Sequence, residues 1–242
     1  MILIVLDLAG DLGPIQPAKE ALSAAVEKLP ATTYVGLLRA QDGLHVLVDP
    51  TPDRVPVIRA IQELTISGRP GLLETLDSVQ RLADSIGRKA QVRVGVLYVT
   101  DSNVAEYRED FTNPVINSSD PHDLSRRFPE TLIQERMSKL QETFASSQTS
   151  LHIVHVSYRG DRLNEAYQNG LKQTAEMLAG SAVFCRSLAE IPEAIEGTLS
   201  TVASEYTLIL ALPAHAPKGL QIRISAGDAP LVYRTRVELE EQ

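Results

Sequence analysis

Tryptophan is absent from this chain of 242 residues, and its aromatic residues amount to four Phe and seven Tyr. Sugar- and base-stacking surfaces, which are built from aromatic platforms, are therefore poorly provided for. Cysteine occurs once, as Cys185, which excludes an internal disulfide and a Cys-rich zinc site. No apolar run approaches the roughly 18–20 residues of a membrane-spanning helix, so no membrane span is expected. Dense Lys/Arg blocks are missing as well. With 23 basic against 31 acidic residues, the formal charge is −8, and a dedicated nucleic-acid binder, whose affinity comes mainly from phosphate neutralisation, is disfavoured. Neither a Gly-rich strand-to-helix loop of the dinucleotide or P-loop kind nor a Gly-x-Ser-x-Gly elbow is found. There is no internal repeat and no low-complexity tract.

What is present is ordinary globular composition, 43% apolar and 22% charged, which excludes a disordered chain. A chain of this size can bury roughly 70–75% of its extended surface, so a full core is available. Met1 is followed at once by the apolar run Ile2-Leu3-Ile4-Val5-Leu6. That start lacks a basic leader, a polar spacer and a small-residue cleavage site, so it does not read as a signal peptide. A secreted or periplasmic setting fits only if the chain is a trimmed piece.

Residues 2–6 are continuously apolar and short, as expected of a strand buried on both faces. Gly10, Gly13 and Pro14 mark a turn, and Ala18, Ala21, Leu22, Ala25, Val26 and Leu29 form a helical stripe. Residues 33–39 and 44–48 read as a hairpin around Asp42-Gly43. After a loop over 49–52, helical spacing returns in Val55–Leu64 and again in Leu72–Ile86. The run 92–99 is the next buried strand, ending at Thr100-Asp101. Between Ser102 and Pro129 no period survives, and loops of that length are more often functional than idle. A helix through Leu132, Met137 and Phe144, a strand over 151–158, a helix over 163–178, a short strand over 182–185 and a helix over 191–202 follow. Strands over 207–212, 220–225 and 231–238 end the chain. Alternating strands and helices demand a doubly wound α/β fold, mostly parallel with one antiparallel edge strand, because parallel strands require crossovers. The expected organisation is an α/β domain over 1–204 with a β-strand extension over 205–242 docked on it.

Open parallel sheets place their sites beyond the carboxyl ends of the strands. Asp7 and Asp101 stand at two such ends, and Asp11 follows in the first loop. With Thr65, Ser67, Ser102 and Asn103 nearby, these carboxylates suit a hard divalent cation with oxygen ligands. The alternative is that strand-end Asp residues cap helices or satisfy turn amides.

The order strand, helix, hairpin, two helices, strand ending in Thr-Asp, then helix–strand pairs resembles a von Willebrand factor type A domain. Within that group it is similar to the bacterial VWFA-related proteins first catalogued in Acidobacteria. There a comparable domain ends in a β-rich tail with Tyr-x-Leu and Arg-x-Arg strands, here Tyr206-Thr207-Leu208 and Arg234-Thr235-Arg236. The resemblance covers almost the whole chain and implies a Rossmann-like sheet and a protein-binding or adhesion role without catalysis. It also implies a metal-ion-dependent adhesion site, in which Asp-x-Ser-x-Ser ends the first strand and a later Thr and Asp complete the set. The matching segment here is Asp7-Leu8-Ala9-Gly10-Asp11, with both Ser positions changed. The later loop, Ser67-Gly68-Arg69-Pro70-Gly71-Leu72, carries Pro70 where the family would resemble Thr. Thr100-Asp101-Ser102 matches the last element well. A degenerate site is therefore expected, with Asp7, Asp11, Ser67, Asp101 and Ser102 as the oxygen donors for a weakly held Mg²⁺ or Ca²⁺. A protein partner is expected to bind over the loops 7–14, 65–71 and 102–129, through Arg69, Asn103, Tyr107 and Arg108.

The alternative function is a metal-dependent hydrolase or phosphatase-like enzyme using Asp7 and Asp101. That chemistry wants a second Asp two residues after the nucleophile, where Ala9 stands. His152 and His155, three apart on a strand, point to opposite faces and cannot clamp one ion; each is expected to be packed or hydrogen-bonded in place. Cys185 reads as a structural thiol.

Overall fold

The computed structural model describes residues 1–9, 12–65, 68–107, 129–208, 224 and 231–233. In chain order they form β1 (Ile2–Asp7), α1 (Leu12–Glu27), β2 (Val35–Arg39), β3 (His45–Thr51), α2 (Arg54–Glu63), α3 (Leu72–Ala90) and β4 (Gly95–Thr100). A 3₁₀ turn over Val104–Tyr107 comes next, then α4 (Pro129–Thr143), β5 (Ser150–His155), α5 (Arg162–Met177), β6 (Ala182–Phe184) and α6 (Ile191–Ser204). The strands make one six-stranded sheet of order β3-β2-β1-β4-β5-β6. Only the β2–β3 pair is antiparallel, as the doubly wound reading requires.

Every residue of β1, β4 and β5 is buried. This explains why these strands are apolar runs rather than alternations: helices cover both faces. Ile2, Ile4 and Leu6 pack with Leu97, Val99 and Val154 against α1, α2 and α6. Leu3 and Val5 turn the other way, with Val96, Tyr98, Leu151 and Ile153, toward α3, α4 and α5. Asp side chains start two of the helices. Asp53 accepts the Val55 N–H at 3.0 Å and Asp161 the Asn164 N–H at 3.1 Å, satisfying first-turn donors that have no helical partner.

Several boundaries differ from the sequence reading. Helix α1 begins at Leu12, not at Ala18, because Pro14 falls in the first turn, where a missing N–H breaks no helical bond. Strand β3 continues through Pro50 to Thr51, a stretch read as loop; on an edge strand a proline can turn its nitrogen outward. Thr207, Leu208 and 231–233, read as parts of strands, pair with no strand among the described residues. Tyr206, Leu208 and Val232 are 90%, 61% and 73% exposed. The remaining tail residues, and with them the expected docking, lie outside the described residues.

Candidate functional site

Asp7 closes β1 and stands in register with Thr100, the last residue of β4. The chain leaves β1 toward β2 on one side and leaves β4 toward β5 on the other. Asp7 therefore sits at the point where the winding reverses, the place where such sheets open a crevice. Its side chain is fully buried. One carboxylate oxygen accepts the Gly71 N–H at 2.8 Å and the other the Thr100 hydroxyl at 2.9 Å. Burial pushes this carboxyl up to about 7; the two hydrogen bonds oppose the rise, and the charges of Asp101 and Glu106 add to it. Burial also raises the half-buried Glu106 carboxyl.

A line of hydroxyls runs inward from Asp7. Thr100 Oγ1 lies 2.8 Å from Ser102 Oγ, which lies 3.0 Å from the Tyr167 hydroxyl. Thr100 has one hydroxyl proton. With that proton given to ionised Asp7, the next contact is filled by the Ser102 proton, and the following one by that of Tyr167. All these groups are buried. Their side chains are held on three separate elements: β4, the segment after it, and α5.

The loop opposite is fixed by close approach. A Cβ on Gly71 would lie 1.9 Å from the Ala40 carbonyl oxygen, so only glycine brings its N–H to Asp7 along this path. Gly68, at φ +100°, would meet the Asp42 carboxylate, and that carboxylate accepts the Arg69 N–H at 3.0 Å. The hairpin turn thus pins the loop. Pro70 is buried and Arg69 is exposed at the rim.

On the other flank, Asp101 accepts the Ala9 N–H at 2.9 Å. Asn103 and Glu106 form a reciprocal cap on the 3₁₀ turn: Asn103 Oδ1 accepts the Ala105 N–H at 3.0 Å and Glu106 the Asn103 N–H at 2.8 Å. His155 Nε2 meets the Ser102 carbonyl at 2.7 Å, and burial lowers its pKa. The expected partner contacts therefore separate. Arg69 is outward. Asn103 is 7% exposed with its side chain committed to the cap, and Tyr107 is 3% exposed, its ring 6.2 Å from that of Tyr167. The turn that follows β4 folds back onto the core, which the aperiodic sequence did not disclose. Arg108, Asp11 and Ser67 lie outside the described residues.

Of the expected ion ligands, the structure brings Asp7, Asp101 and Ser102 together. Each already has protein partners: two donors on Asp7, the Ala9 amide on Asp101, and two hydroxyls beside Ser102. Among the described residues no group of three or more His, Cys, Asp or Glu side chains is arranged to hold a metal ion.

A second polar cluster, which sequence reasoning missed, lies at the opposite end of the sheet. Glu205, at the end of α6, receives Arg93 at 2.8 Å and the Ser150 hydroxyl at 2.7 Å on one oxygen, and His152 Nε2 at 2.5 Å on the other. His152 Nδ1 meets Ser181 Oγ at 3.1 Å. The hydrogen bonds to His152 and Ser150 and the charge of Arg93 outweigh burial and hold the Glu205 carboxyl below its ordinary value. Although Ser, His and Glu are in sequence here, the serine faces Nδ1, and both Glu205 oxygens are engaged; the cluster ties the end of α6 to the sheet. Glu205 lies more than fifty residues from each of its partners, so no local pattern announces the cluster. Both histidines are hydrogen-bonded in place, as expected. Cys185 is buried, with burial pushing its thiol up to about 11.

No protein-family model matches the sequence, and no curated protein matches it. Solved structures do. A von Willebrand factor type A protein from Catenulispora acidiphila is 15% identical with a TM-score of 0.54; the match covers 84% of this chain and 42% of that one, so the chain spans less than half of it. The vWF domain of the type V pili tip protein Mfa5 from Porphyromonas gingivalis is 13% identical, TM-score 0.54, with 86% and 97% covered. The PilB minor pilin from Streptococcus sanguinis, as its D319A mutant, is 9% identical, TM-score 0.55, with 84% and 61% covered. At these identities the likeness is one of fold. The sheet order, the helices on both faces and these matches together show that the described part of this chain has a von Willebrand factor type A-like fold.

Proposed function

We propose that this domain is a non-catalytic protein-interaction module that binds its partner across the crevice between β1 and β4, with an adhesion-type metal site that has degenerated. The observation that carries this reading is Asp7, with its two oxygens given to Gly71 and Thr100 and its side chain closed off from solvent. A nucleophilic or metal-binding carboxylate must be open to substrate or ion, and the burial of Asp7 supports the non-catalytic reading. Pro70, in the loop position where the fold's adhesion sites would resemble Thr, offers no hydroxyl. The exposed Arg69 is the rim residue through which a partner carboxylate is met, with Arg108 as the second cation. Two of the similar structures come from pilus proteins, a type V pili tip protein and a minor pilin.

Mg²⁺ or Ca²⁺ is expected to bind no more tightly than about millimolar, the weak end of oxygen-ligand sites. Titration calorimetry showing micromolar Mg²⁺ binding, lost in Asp7→Ala, would refute the degenerate site. The function itself is tested by affinity capture from the native source followed by a direct binding assay with the captured protein. Specific binding that survives EDTA and drops at least tenfold in Arg69→Glu is expected. Turnover of p-nitrophenyl phosphate that is abolished by Asp7→Asn would instead establish the hydrolase alternative built on Asp7 and Asp101.

A further inference from the structure

Strand β6 ends the sheet, and its outer edge is chemically specific. The Ile153 N–H donates to the Ser181 carbonyl and the Cys185 N–H to the His155 carbonyl, both at 2.8 Å. In a parallel pair, alternate residues of a strand face a given neighbour. Ser181, Val183 and Cys185 therefore turn their peptide groups toward β5, while the N–H and C=O of Ala182 and Phe184 point away from the sheet. Among the described residues no hydrogen bond reaches those outward groups.

Beside this edge, on the α5 side, lies a cavity of about 510 Å³ whose walls include Tyr158, Lys172, Phe184 and Arg186, within the range of small-ligand and side-chain pockets. The Arg186 guanidinium lies 5.0 Å from the centroid of the Tyr158 ring, which holds its planar fork in place. It pairs with no carboxylate among the described residues, and Lys172 has only Glu176, at 3.8 Å. Glu165, the carboxylate in the cavity wall, accepts the Tyr158 hydroxyl at 3.2 Å. Two under-used cations thus stand next to two under-used backbone rungs.

We propose that the outer edge of β6 takes up an extended acidic peptide of a partner protein by strand addition, with a carboxylate of that peptide entering the cavity bounded by Arg186 and Lys172. Phe184 projects toward the α5 face, where its side chain lines the cavity, and a residue of an added strand opposite it projects the same way. A Glu at that position or two residues along faces the cationic wall. The backbone rungs supply affinity, and Arg186 supplies the preference for acid. This surface uses none of the crevice residues and stands independently of the function proposed above.

The test uses the full chain and a fluorescein-labelled peptide of alternating Val and Glu, followed by fluorescence anisotropy at low salt. Saturable binding is expected, absent for the matching Val/Lys peptide. Ala182→Pro removes an outward N–H while leaving the bonds to β5, and Arg186→Glu reverses the charge; each is expected to weaken binding at least tenfold. The amides of Ala182 and Phe184 should exchange quickly in the free chain and slow down with peptide bound. No binding, equal binding of the Lys peptide, or indifference to both substitutions would overturn the proposal. So would slow exchange of these amides without peptide, which would put the chain's own tail on the edge, or a dimer lost in Ala182→Pro, which would put a second copy there.

Discussion

At the scale of single residues, Asp7 is the group with most at stake. Its carboxyl titrates near 7 in the folded chain against an ordinary value of 3.8, so the folded state holds a proton that the unfolded state has released. That difference stabilises the fold below about pH 4 and is lost as pH rises to about 7, a change on the order of a few kcal/mol for a group this buried. Asp7→Asn keeps the shape and the neutral form, so the difference between variant and wild type should move in the variant's favour from pH 4 to pH 8. Urea midpoints across that range check it; a constant difference would mean that Asp7 does not titrate there. Gly71→Ala drives a methyl into the Ala40 carbonyl and should cost about 1–3 kcal/mol, read as a lower melting temperature. At the far end of the sheet, Glu205→Gln leaves Arg93 and the buried His152 without their carboxylate and should cost a similar amount, about 1–3 kcal/mol.

Among the elements, the apolar runs of β1 and β4 and the Asp42-Gly43 turn were readable because their cause is local: a strand covered on both faces has no polar residues to spare, and a tight hairpin needs special backbone angles. The segment after β4 was not. Tyr107 sits in an aperiodic stretch, and its inward turn is set by the Asn103–Glu106 cap and by Asn164, whose side chain accepts the Val104 N–H at 3.0 Å and donates to Asp161 at 2.7 Å. The cap and the Asn164–Asp161 bond are local, but the Val104–Asn164 bond that places the turn joins segments 60 residues apart, and spacing cannot reveal it. Through that relay the start of α5 supports the turn beside the crevice. Asp161→Ala is therefore expected to cost about 1 kcal/mol as a lost cap, and also to speed amide exchange at Val104. Unchanged exchange there would show that the relay does not carry the turn.

In the molecule as a whole, the described residues of both apolar clusters run no later than Ala203, and Glu205 ties the end of α6 to the sheet through Arg93, Ser150 and His152. A chain ending before Glu205 should accordingly melt lower and less sharply than one ending after it. A full-length melting temperature well above that of the longer truncation would mean that the tail contributes core contacts.

The hydroxyl line from Asp7 also makes the domain its own reporter. With no tryptophan to dominate ultraviolet emission, fluorescence comes from the tyrosines alone, and Tyr98, Tyr107 and Tyr167 are buried on the side of the sheet into which that line runs. A carboxylate linked through Thr100 and Ser102 to the Tyr167 phenol changes that phenol's hydrogen bonding each time it gains or loses its proton. Unlabelled protein excited near 275 nm would then register the state of the crevice as a change in brightness and lifetime.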